Sequence, residues 1–261
     1  SDLGELTAQR AAADREWTYG HIVVDEAQEL TAMDWRMLIR RCPSRSFTIV
    51  GDVAQTSALA GTRRWDKTMN RLFGEGHWDL NELTINYRNP QEVSDLASRF
   101  AQNEGLYIST VNAVRALPDS VSRHVVDDMK ALLTVTSNQA AQLANHFVSA
   151  DGTGRIAIIC PDDLIKPVRE AVRHRLSSLM APSEYQRLID QPEWDEQISV
   201  CGTEMVKGLE FDAVIVIEPG RIEDDAPSRL VAASDLYVAT TRPTQKLVIV
   251  RTKEDERSLN I

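Results

Sequence analysis

The chain has 261 residues, of which 43% are hydrophobic, and this length favours two domains over one. Its net charge of −10 excludes a surface covered with phosphate-binding charge, so any contact with nucleic acid must be local. Cys42, Cys160 and Cys201 are too widely spaced for a metal or redox pair. Because no apolar run reaches the roughly 20 residues that span a bilayer, we expect a soluble, cytoplasmic protein with no membrane partner.

Short β-rich runs alternate with amphipathic stretches along the chain, which is typical of parallel α/β sheets covered by helices. Residues 3–13 have the character of the middle of a helix, so we expect the chain to be a piece of a longer protein. The segment 102–122 is polar and poor in strand signals, and 223–227 is predicted as a solvated loop. The predicted strands are 21–25, 47–51, 130–136, 155–160, 197–203, 212–218 and 246–251, and the predicted helices are 32–41, 138–149, 164–179 and 228–240.

Polar side chains follow the first two predicted strands. Asp25 and Glu26 would lie at the carboxyl edge of a parallel sheet, where such folds bind ligands. Asp25 would hold Mg²⁺, directly or through water, and Glu26 would orient and deprotonate an attacking water. The alternative is a helix N-terminus with favourable dipole interactions. After the second strand, Gly51 allows a tight exit and the Gln55 amide would sense a terminal phosphate.

Five segments resemble motifs of superfamily 1 helicases of the UvrD/Rep type, in the order that the family has them. Residues 25–28, which read Asp-Glu-Ala-Gln, resemble the Walker B motif, and 51–55 resemble the third motif. Residues 83–88 resemble the fourth motif, 206–212 the fifth and 236–242 the sixth. The most specific match is Lys-Gly-Leu-Glu-Phe-Asp at 207–212.

The resemblance implies ATP and Mg²⁺ as cofactors and a role for each matching residue. Tyr87 would stack on adenine, and Arg88 would reach the γ-phosphate. Glu210 would hold the ribose, and Arg242 would be the arginine finger, since guanidinium groups are natural partners of phosphate oxygens. The resemblance also places three further residues among those that bind nucleotide, namely Gln28, Lys207 and Gly208.

Each of these residues also has a plainer interpretation. Tyr87 could be a half-buried tyrosine at a strand end, and Arg88 could project into solvent. Arg242 could be a surface arginine beside a proline. Glu210 could be the outward-facing acid of an alternating strand, and Lys207 could contact a nucleic-acid backbone or only close a loop.

The chain departs from the family in three ways. It contains no GxxxxGK[ST] phosphate-binding loop, so we expect it to be inactive alone and to work with an N-terminal half that carries the loop. Thr56 follows Gln55 where UvrD and Rep carry an aromatic that stacks on single-stranded bases, which leaves Trp65 as the substitute. Only 122 residues lie between Tyr87 and Glu210, too few for the large subdomain that UvrD and Rep insert there.

These departures favour the HelD type, a UvrD-like ATPase that binds RNA polymerase and clears it from nucleic acid. The alternatives are a repair-type DNA helicase and a non-catalytic interaction module. The predicted fold class is α/β with RecA-like parallel sheets covered by helices. Residues 1–80 would be the distal part of a first lobe and 81–261 a second lobe of the 2A type, with ATP and Mg²⁺ between the lobes and DNA or RNA as the track.

Overall fold

The computed structural model describes residues 17–109, 112–192, 195–256 and 261. Contacts within the chain divide it into two compact units, Ser1–Asn81 and Glu82–Ile261. The predicted helical character of 3–13 lies outside the described residues. The identification of the two units with the two lobes of one motor stays a prediction.

Unit 1 contains a two-stranded parallel sheet with helices beside it. Strand β1 (Ile22–Val24) pairs with β2 (Phe47–Ile49), and the helix between them is α1 (Ala32–Arg41). A capping box starts α1, because the Thr31 hydroxyl accepts from the Asp34 backbone N–H and the Asp34 carboxylate accepts from the Thr31 N–H. Helix α2 (Trp65–Phe73) follows, and Trp35, fully buried, packs with Val24, Ala27 and Met69 in the core.

Unit 2 is built on a five-stranded parallel sheet in the order β5-β9-β8-β6-β7, with a separate parallel pair, β3 and β4. The strands are β3 (Ile85–Pro90), β4 (Asn112–Arg115), β5 (Val121–Val126), β6 (Ile156–Ile159), β7 (Ile198–Cys201), β8 (Phe211–Ile217) and β9 (Pro243–Thr252). The helices are α3 (Gln91–Asn103), α4 (Met129–Phe147), α5 (Asp162–Leu179), α6 (Pro182–Ile189), α7 (Pro219–Asp225), α8 (Arg229–Thr241) and α9 (Lys253–Glu256).

The central strands of this sheet are covered on both faces. All four residues of β6 are buried, and so are the last five of β8, as expected of parallel strands between two helical layers. Leu132 and Leu143 of α4 and Val168 and Val172 of α5 pack in the core on these strands. The predicted fold class is therefore confirmed as a mixed α/β structure with a parallel sheet flanked by helices, consistent with a RecA-like fold.

At the carboxyl end of β8 the chain turns through a buried acid. Glu218 has a left-handed backbone (φ 48°) and is 2% exposed. Its carboxylate accepts hydrogen bonds from the backbone N–H and the hydroxyl of Thr252 at the end of β9. Nearby, Asp255 of α9 accepts from the backbone N–H of Arg221 and forms an ion pair with Arg251 at 2.9 Å. These contacts join α7 and α9 to the sheet.

Three sequence predictions about elements are wrong. The predicted strand 130–136 is the first part of α4. The polar segment 102–122 contains all of β4 and the start of β5. The predicted loop 223–227 is helical as far as the end of α7 at Asp225. Within the part of the chain that the structure describes, no helix is long and apolar enough to cross a membrane.

Candidate functional site

The first group of candidate residues lies where β1 ends. Asp25 and Glu26 are both exposed, and the Asp25 carboxylate accepts a hydrogen bond of 2.8 Å from the backbone N–H of Glu26. Glu26 has a left-handed backbone, with φ 49° and ψ 37°, which is uncommon for a residue other than glycine and costs about 1–3 kcal/mol. The chain therefore turns sharply at the candidate catalytic base.

Gln28 connects this turn to the end of β2. Its side chain is 1% exposed; its Nε2 donates to the Glu26 carboxylate at 2.5 Å, and its Oε1 accepts from the backbone N–H of Asp52 at 3.1 Å. A Cβ atom at Gly51 would lie 2.5 Å from that Oε1, closer than side chains tolerate. A side chain at position 51 would therefore have to displace the Gln28 amide, a constraint different from the tight strand exit that the sequence indicated.

Asp52 holds the next candidate residue. One of its carboxylate oxygens accepts from the backbone N–H of Ala54 and caps the 3₁₀ helix Val53–Gln55. The other accepts from the Gln55 side-chain amide at 2.8 Å. Hydrogen bonds thus run from Glu26 through Gln28 and Asp52 to Gln55, so the two motif-like segments of unit 1 form one connected group.

Sequence reasoning missed Glu29, which organises the loop after Gln55. Its two carboxylate oxygens accept from the backbone N–H groups of Ser57 and Ala58, each at 2.9 Å. The only signal in the sequence was a third acid close behind Asp25 and Glu26. Thr56, which stands where UvrD and Rep carry an aromatic, is fully buried, and Trp65 packs on the core of unit 1.

Magnesium coordination at Asp25 would rely on ligands from outside the protein. Among the residues that the structure describes, no group of three or more His, Cys, Asp and Glu could hold a metal ion. Mg²⁺ commonly keeps several waters and binds through one or two carboxylates together with substrate phosphates. The exposed carboxylate of Asp25 fits that mode of binding, and a cage made entirely of protein ligands is not needed.

In unit 2 the structure brings Arg88 and Glu210 together. The Arg88 Nε lies 2.6 Å from a carboxylate oxygen of Glu210, and the two side chains are 41% and 51% exposed. The interpretation of Arg88 as a side chain that only projects into solvent is therefore wrong. Tyr87 beside it is 70% exposed, so the interpretation as a half-buried tyrosine is wrong too.

Arg242 is buried, with 3% of its surface exposed. Its guanidinium donates to the carbonyl oxygens of Val238 at 3.2 Å and Leu209 at 3.4 Å, and to the Thr241 hydroxyl at 3.2 Å. The interpretation as a surface arginine is therefore wrong. By binding Leu209, Arg242 fixes the backbone immediately before Glu210.

Asn89 is a second residue that sequence reasoning missed. It is 3% exposed, and its Nδ2 donates to the carbonyl oxygens of Thr241 and Pro243, both at 2.8 Å. Its Oδ1 accepts from Asn86 at 2.9 Å. Asn89 thereby joins the segment of Arg88 to the start of β9, and its amide, placed between an arginine and a proline, was the only sequence signal.

Arg115 of β4 makes a parallel connection. Its Nη1 donates to the carbonyl oxygens of Arg88 and Thr244, each at 2.7 Å. The backbone of Arg88 is therefore held from two sides, because its carbonyl oxygen accepts from Arg115 and its N–H donates to the Asn86 side chain. Its side chain stays at the surface with Glu210.

Lys207 and Gly208 form the turn that leads to Glu210. The 3₁₀ helix Thr203–Val206 ends at Lys207, which is half-buried, and Gly208 is exposed with φ 70°. That left-handed conformation is strained for other residues, so the glycine is needed for the reversal. The roles of both residues toward nucleotide stay predictions.

No protein-family model matches the chain, and no curated protein matches it. Among solved structures, the chain is similar to the C-terminal domain of a possible DNA helicase from Lactobacillus plantarum WCFS1. The match has 19% sequence identity and a TM-score of 0.43, and it covers 67% of this chain and 94% of that one.

Proposed function

We propose that this chain supplies the hydrolysis and coupling residues of an ATP-dependent nucleic-acid motor of the superfamily 1 type. The observation that carries the proposal is the connection of the motif-like segments by direct contacts. In unit 1, Glu26 and Gln55 belong to one hydrogen-bonded group. In unit 2, Arg88 forms an ion pair with Glu210, more than a hundred residues away, and Arg242 donates to the carbonyl oxygen of Leu209, next to Glu210.

In unit 1 the proposed chemistry is activation of water beside a magnesium-bound phosphate. Asp25 would hold Mg²⁺, and Glu26 would accept the proton of the attacking water. The hydrogen bond from Gln28 restricts the Glu26 carboxylate to one orientation while leaving its second oxygen available. Gln55, held by Asp52, would contact the terminal phosphate.

In unit 2 the proposed role is recognition of nucleotide. The exposed ring of Tyr87 would stack on adenine, the Glu210 carboxylate would accept from ribose hydroxyls, and Arg88 would bind phosphate. Arg242 has its donors on backbone carbonyls and a neighbouring hydroxyl in this arrangement, so a direct contact with the γ-phosphate requires it to leave them. Its contact with Leu209 supports a second role, that of positioning Glu210.

Within this class we propose the HelD type, with RNA polymerase as partner and DNA or RNA as the nucleic acid. The buried Thr56 provides no stacking surface, and the short interval between Tyr87 and Glu210 leaves no room for a large inserted subdomain. A repair-type helicase is the rival. Two assays separate these types: binding to purified RNA polymerase, and unwinding of a duplex with a single-stranded tail. The HelD type predicts that the protein binds the polymerase and does not unwind the duplex. A repair-type helicase predicts that it unwinds the duplex and does not bind the polymerase.

A non-catalytic interaction module is the second candidate function, and the same contacts favour it. Arg88 is already paired with Glu210, and Arg242 is buried on backbone carbonyls. A module that only binds a partner would use both arginines for structure.

Steady-state ATP hydrolysis by the full-length protein decides between motor and module. Glu26→Gln removes the proton acceptor but keeps the shape of the side chain, so kcat should fall by about 10²-fold or more while KM changes little. Glu75→Gln, which neutralises an exposed acid elsewhere in unit 1, is the matched control and should keep wild-type kinetics. Wild-type kcat in Glu26→Gln would favour the module.

A further inference from the structure

A cleft of about 390 Å³ in unit 2 has none of the candidate nucleotide-binding residues in its lining. Helix α3 contributes Arg99, Phe100 and Asn103 to its lining, strand β5 contributes Arg123, and the end of β9 contributes Arg251. Its volume is within the range of small-ligand sites, which are commonly 300–1,000 Å³.

The charge of this lining is opposite to that of the chain. Three arginines and one acid, Glu256, line the cleft, although the chain as a whole has 39 acidic residues against 29 basic ones. Arg251 is largely neutralised, because it is buried and forms an ion pair with Asp255 at 2.9 Å. The charge offered to a ligand therefore comes from Arg99 and Arg123, both exposed and neither in an ion pair with a described residue.

Secondary structure explains why these side chains converge. Arg99 and Asn103 are four residues apart on α3 and lie on one face of the helix. Arg123 and Val125 are two residues apart on β5 and share one face of the sheet, and Val125 is in register with Arg251 on β9. Leu96 and Phe100, both 3% exposed, lie between helix and sheet and form an apolar floor.

We propose that this cleft binds the phosphate group of a ligand. A guanidinium presents N–H donors in a fixed fork that matches phosphate oxygens, and here two forks come from different elements, with the Asn103 amide as a further donor. The buried ring of Phe100 offers no face for a base to stack on. Binding is therefore directed at the phosphate and is indifferent to base identity. The site does not depend on the proposed motor function.

Two sources of phosphate fit this chemistry, a free polyphosphate and the backbone of a nucleic-acid strand. Inorganic pyrophosphate, measured by isothermal titration calorimetry, tests the first. A short fluorescein-labelled oligothymidylate, measured by fluorescence anisotropy at low ionic strength, tests the second. The variant is Arg99→Gln with Arg123→Gln, and the control is Lys166→Gln with Arg173→Gln, which removes two exposed charges from α5.

We expect the arginine variant to bind at least one of the two probes roughly tenfold more weakly or worse, since hydrogen bonds from a guanidinium to phosphate are charge-assisted and stronger than neutral ones. The control should bind as the wild type does. If the source is a strand, the salt dependence of oligothymidylate binding should also fall, by roughly 1.4 in the slope of log K against log salt for two lost contacts.

The outcomes separate as follows. Loss of pyrophosphate binding in the arginine variant alone supports a site for free phosphate, and loss of oligothymidylate binding with the lower slope supports a strand backbone. Equal loss in variant and control means that only net charge matters and overturns the proposal, as does no loss in either. If the glutamine variant fails to fold, the variant Arg99→Lys with Arg123→Lys, which keeps the charge, replaces it. If both probes bind this lysine variant as tightly as they bind the wild type, guanidinium groups are not needed for binding and the proposal is overturned.

Discussion

Gly51 illustrates how one buried side chain dictates a neighbouring residue. Gln28 occupies the space that a Cβ at position 51 would need, and the indole of Trp65 lies 3.1 Å from the same point. Gly51→Ala should therefore push Gln28 away from Glu26 and Asp52 and destabilise unit 1 by about 1–3 kcal/mol. Gly20→Ala is the matched control, because a Cβ there meets nothing within 4 Å. Urea denaturation of both variants measures the difference, and equal stabilities would contradict the close approach.

A second prediction concerns the stability of the protein without the Arg242 side chain. Arg242→Ala leaves the carbonyl oxygen of Leu209 without its donor and opens a cavity where the buried guanidinium lies. The free energy of unfolding should fall by about 2–4 kcal/mol, whereas a surface arginine would change it by less than about 0.5 kcal/mol. Denaturant unfolding followed by circular dichroism distinguishes the two results.

The kinetic role of Arg242 requires a milder substitution. Arg242→Lys keeps the charge but cannot reach Val238, Leu209 and Thr241 together. If Arg242 positions Glu210, KM for ATP should rise with kcat largely kept; if it reaches the transition state, kcat should fall by roughly 10³-fold. Tyr87→Ala in the same full-length protein is the reference for a pure binding defect.

The buried carboxyl at the ends of β8 and β9 predicts that the stability of the protein depends on pH. Burial raises the pKa of the Glu218 carboxyl above its ordinary value, despite the hydrogen bonds from Thr252 that lower it. A carboxyl with a raised pKa in the folded state favours folding below its unfolded pKa, and that contribution is lost as the pH rises through the folded value. Glu218→Gln, which stays neutral, should therefore gain stability relative to wild type as the pH is raised from about 4.

Urea midpoints of the two proteins across the acid range provide the measurement. Asp255, whose pKa burial also raises and whose charge in turn raises the pKa of Glu218, remains in both proteins, so the difference between them reports the Glu218 charge together with its interaction with Asp255. A difference independent of pH, or one that shrinks as the pH rises, would contradict the prediction.

The elements that the sequence predicted correctly are those whose pattern and packing agree. Strand β6 is apolar throughout and β8 is apolar after Asp212, and helix α1 begins where Thr31 and Asp34 form a capping box. The error at 130–136 arose because its valine and threonines favour strands. Tertiary packing prevails there: Asp128 caps the helix, and Leu132, Thr136 and Ala140, four residues apart, are buried on one face.

The strands missed in 102–122 have the opposite character. In β4 the exposed residues Asn112 and Val114 alternate with half-buried ones, so little apolar content marks the strand.

The candidate site also has a part that the sequence predicts and a part that it does not. Strand ends with acids could be predicted. The connections of Asn89 join segments about 150 residues apart, and the contact of the buried Arg242 with Leu209 spans 33 residues; local patterns encode neither.

For the whole molecule, the missing phosphate-binding loop leads to a direct expectation. No GxxxxGK[ST] run occurs in the 261 residues. In nucleotide hydrolases that have this loop, it supplies most contacts to the β- and γ-phosphates. This chain alone should therefore release no phosphate from Mg²⁺-ATP above the level of its Glu26→Gln variant. A malachite-green assay checks this, and turnover above that level would contradict it.

The acidic balance of the chain predicts weak binding to single-stranded DNA at physiological salt. With Thr56 buried, no aromatic follows Gln55 to stack on bases, and the net charge is −10. Contacts to phosphates then dominate, and they weaken steeply as salt rises. Anisotropy titrations should give dissociation constants above the micromolar range, and submicromolar affinity would show a stacking surface elsewhere.

The ion pair between Arg88 and Glu210 turns nucleotide binding, on the proposed roles, into an exchange of partners. Each group already has a counter-charge before phosphate or ribose arrives, so the ligand gains only the difference between new contacts and old ones. Because both side chains are about half exposed, the contact given up is worth at most about 1 kcal/mol, less than one factor of ten in affinity. Salt weakens the old contact together with the new one, so affinity for nucleotide should decline less with ionic strength than it would for an unpaired arginine.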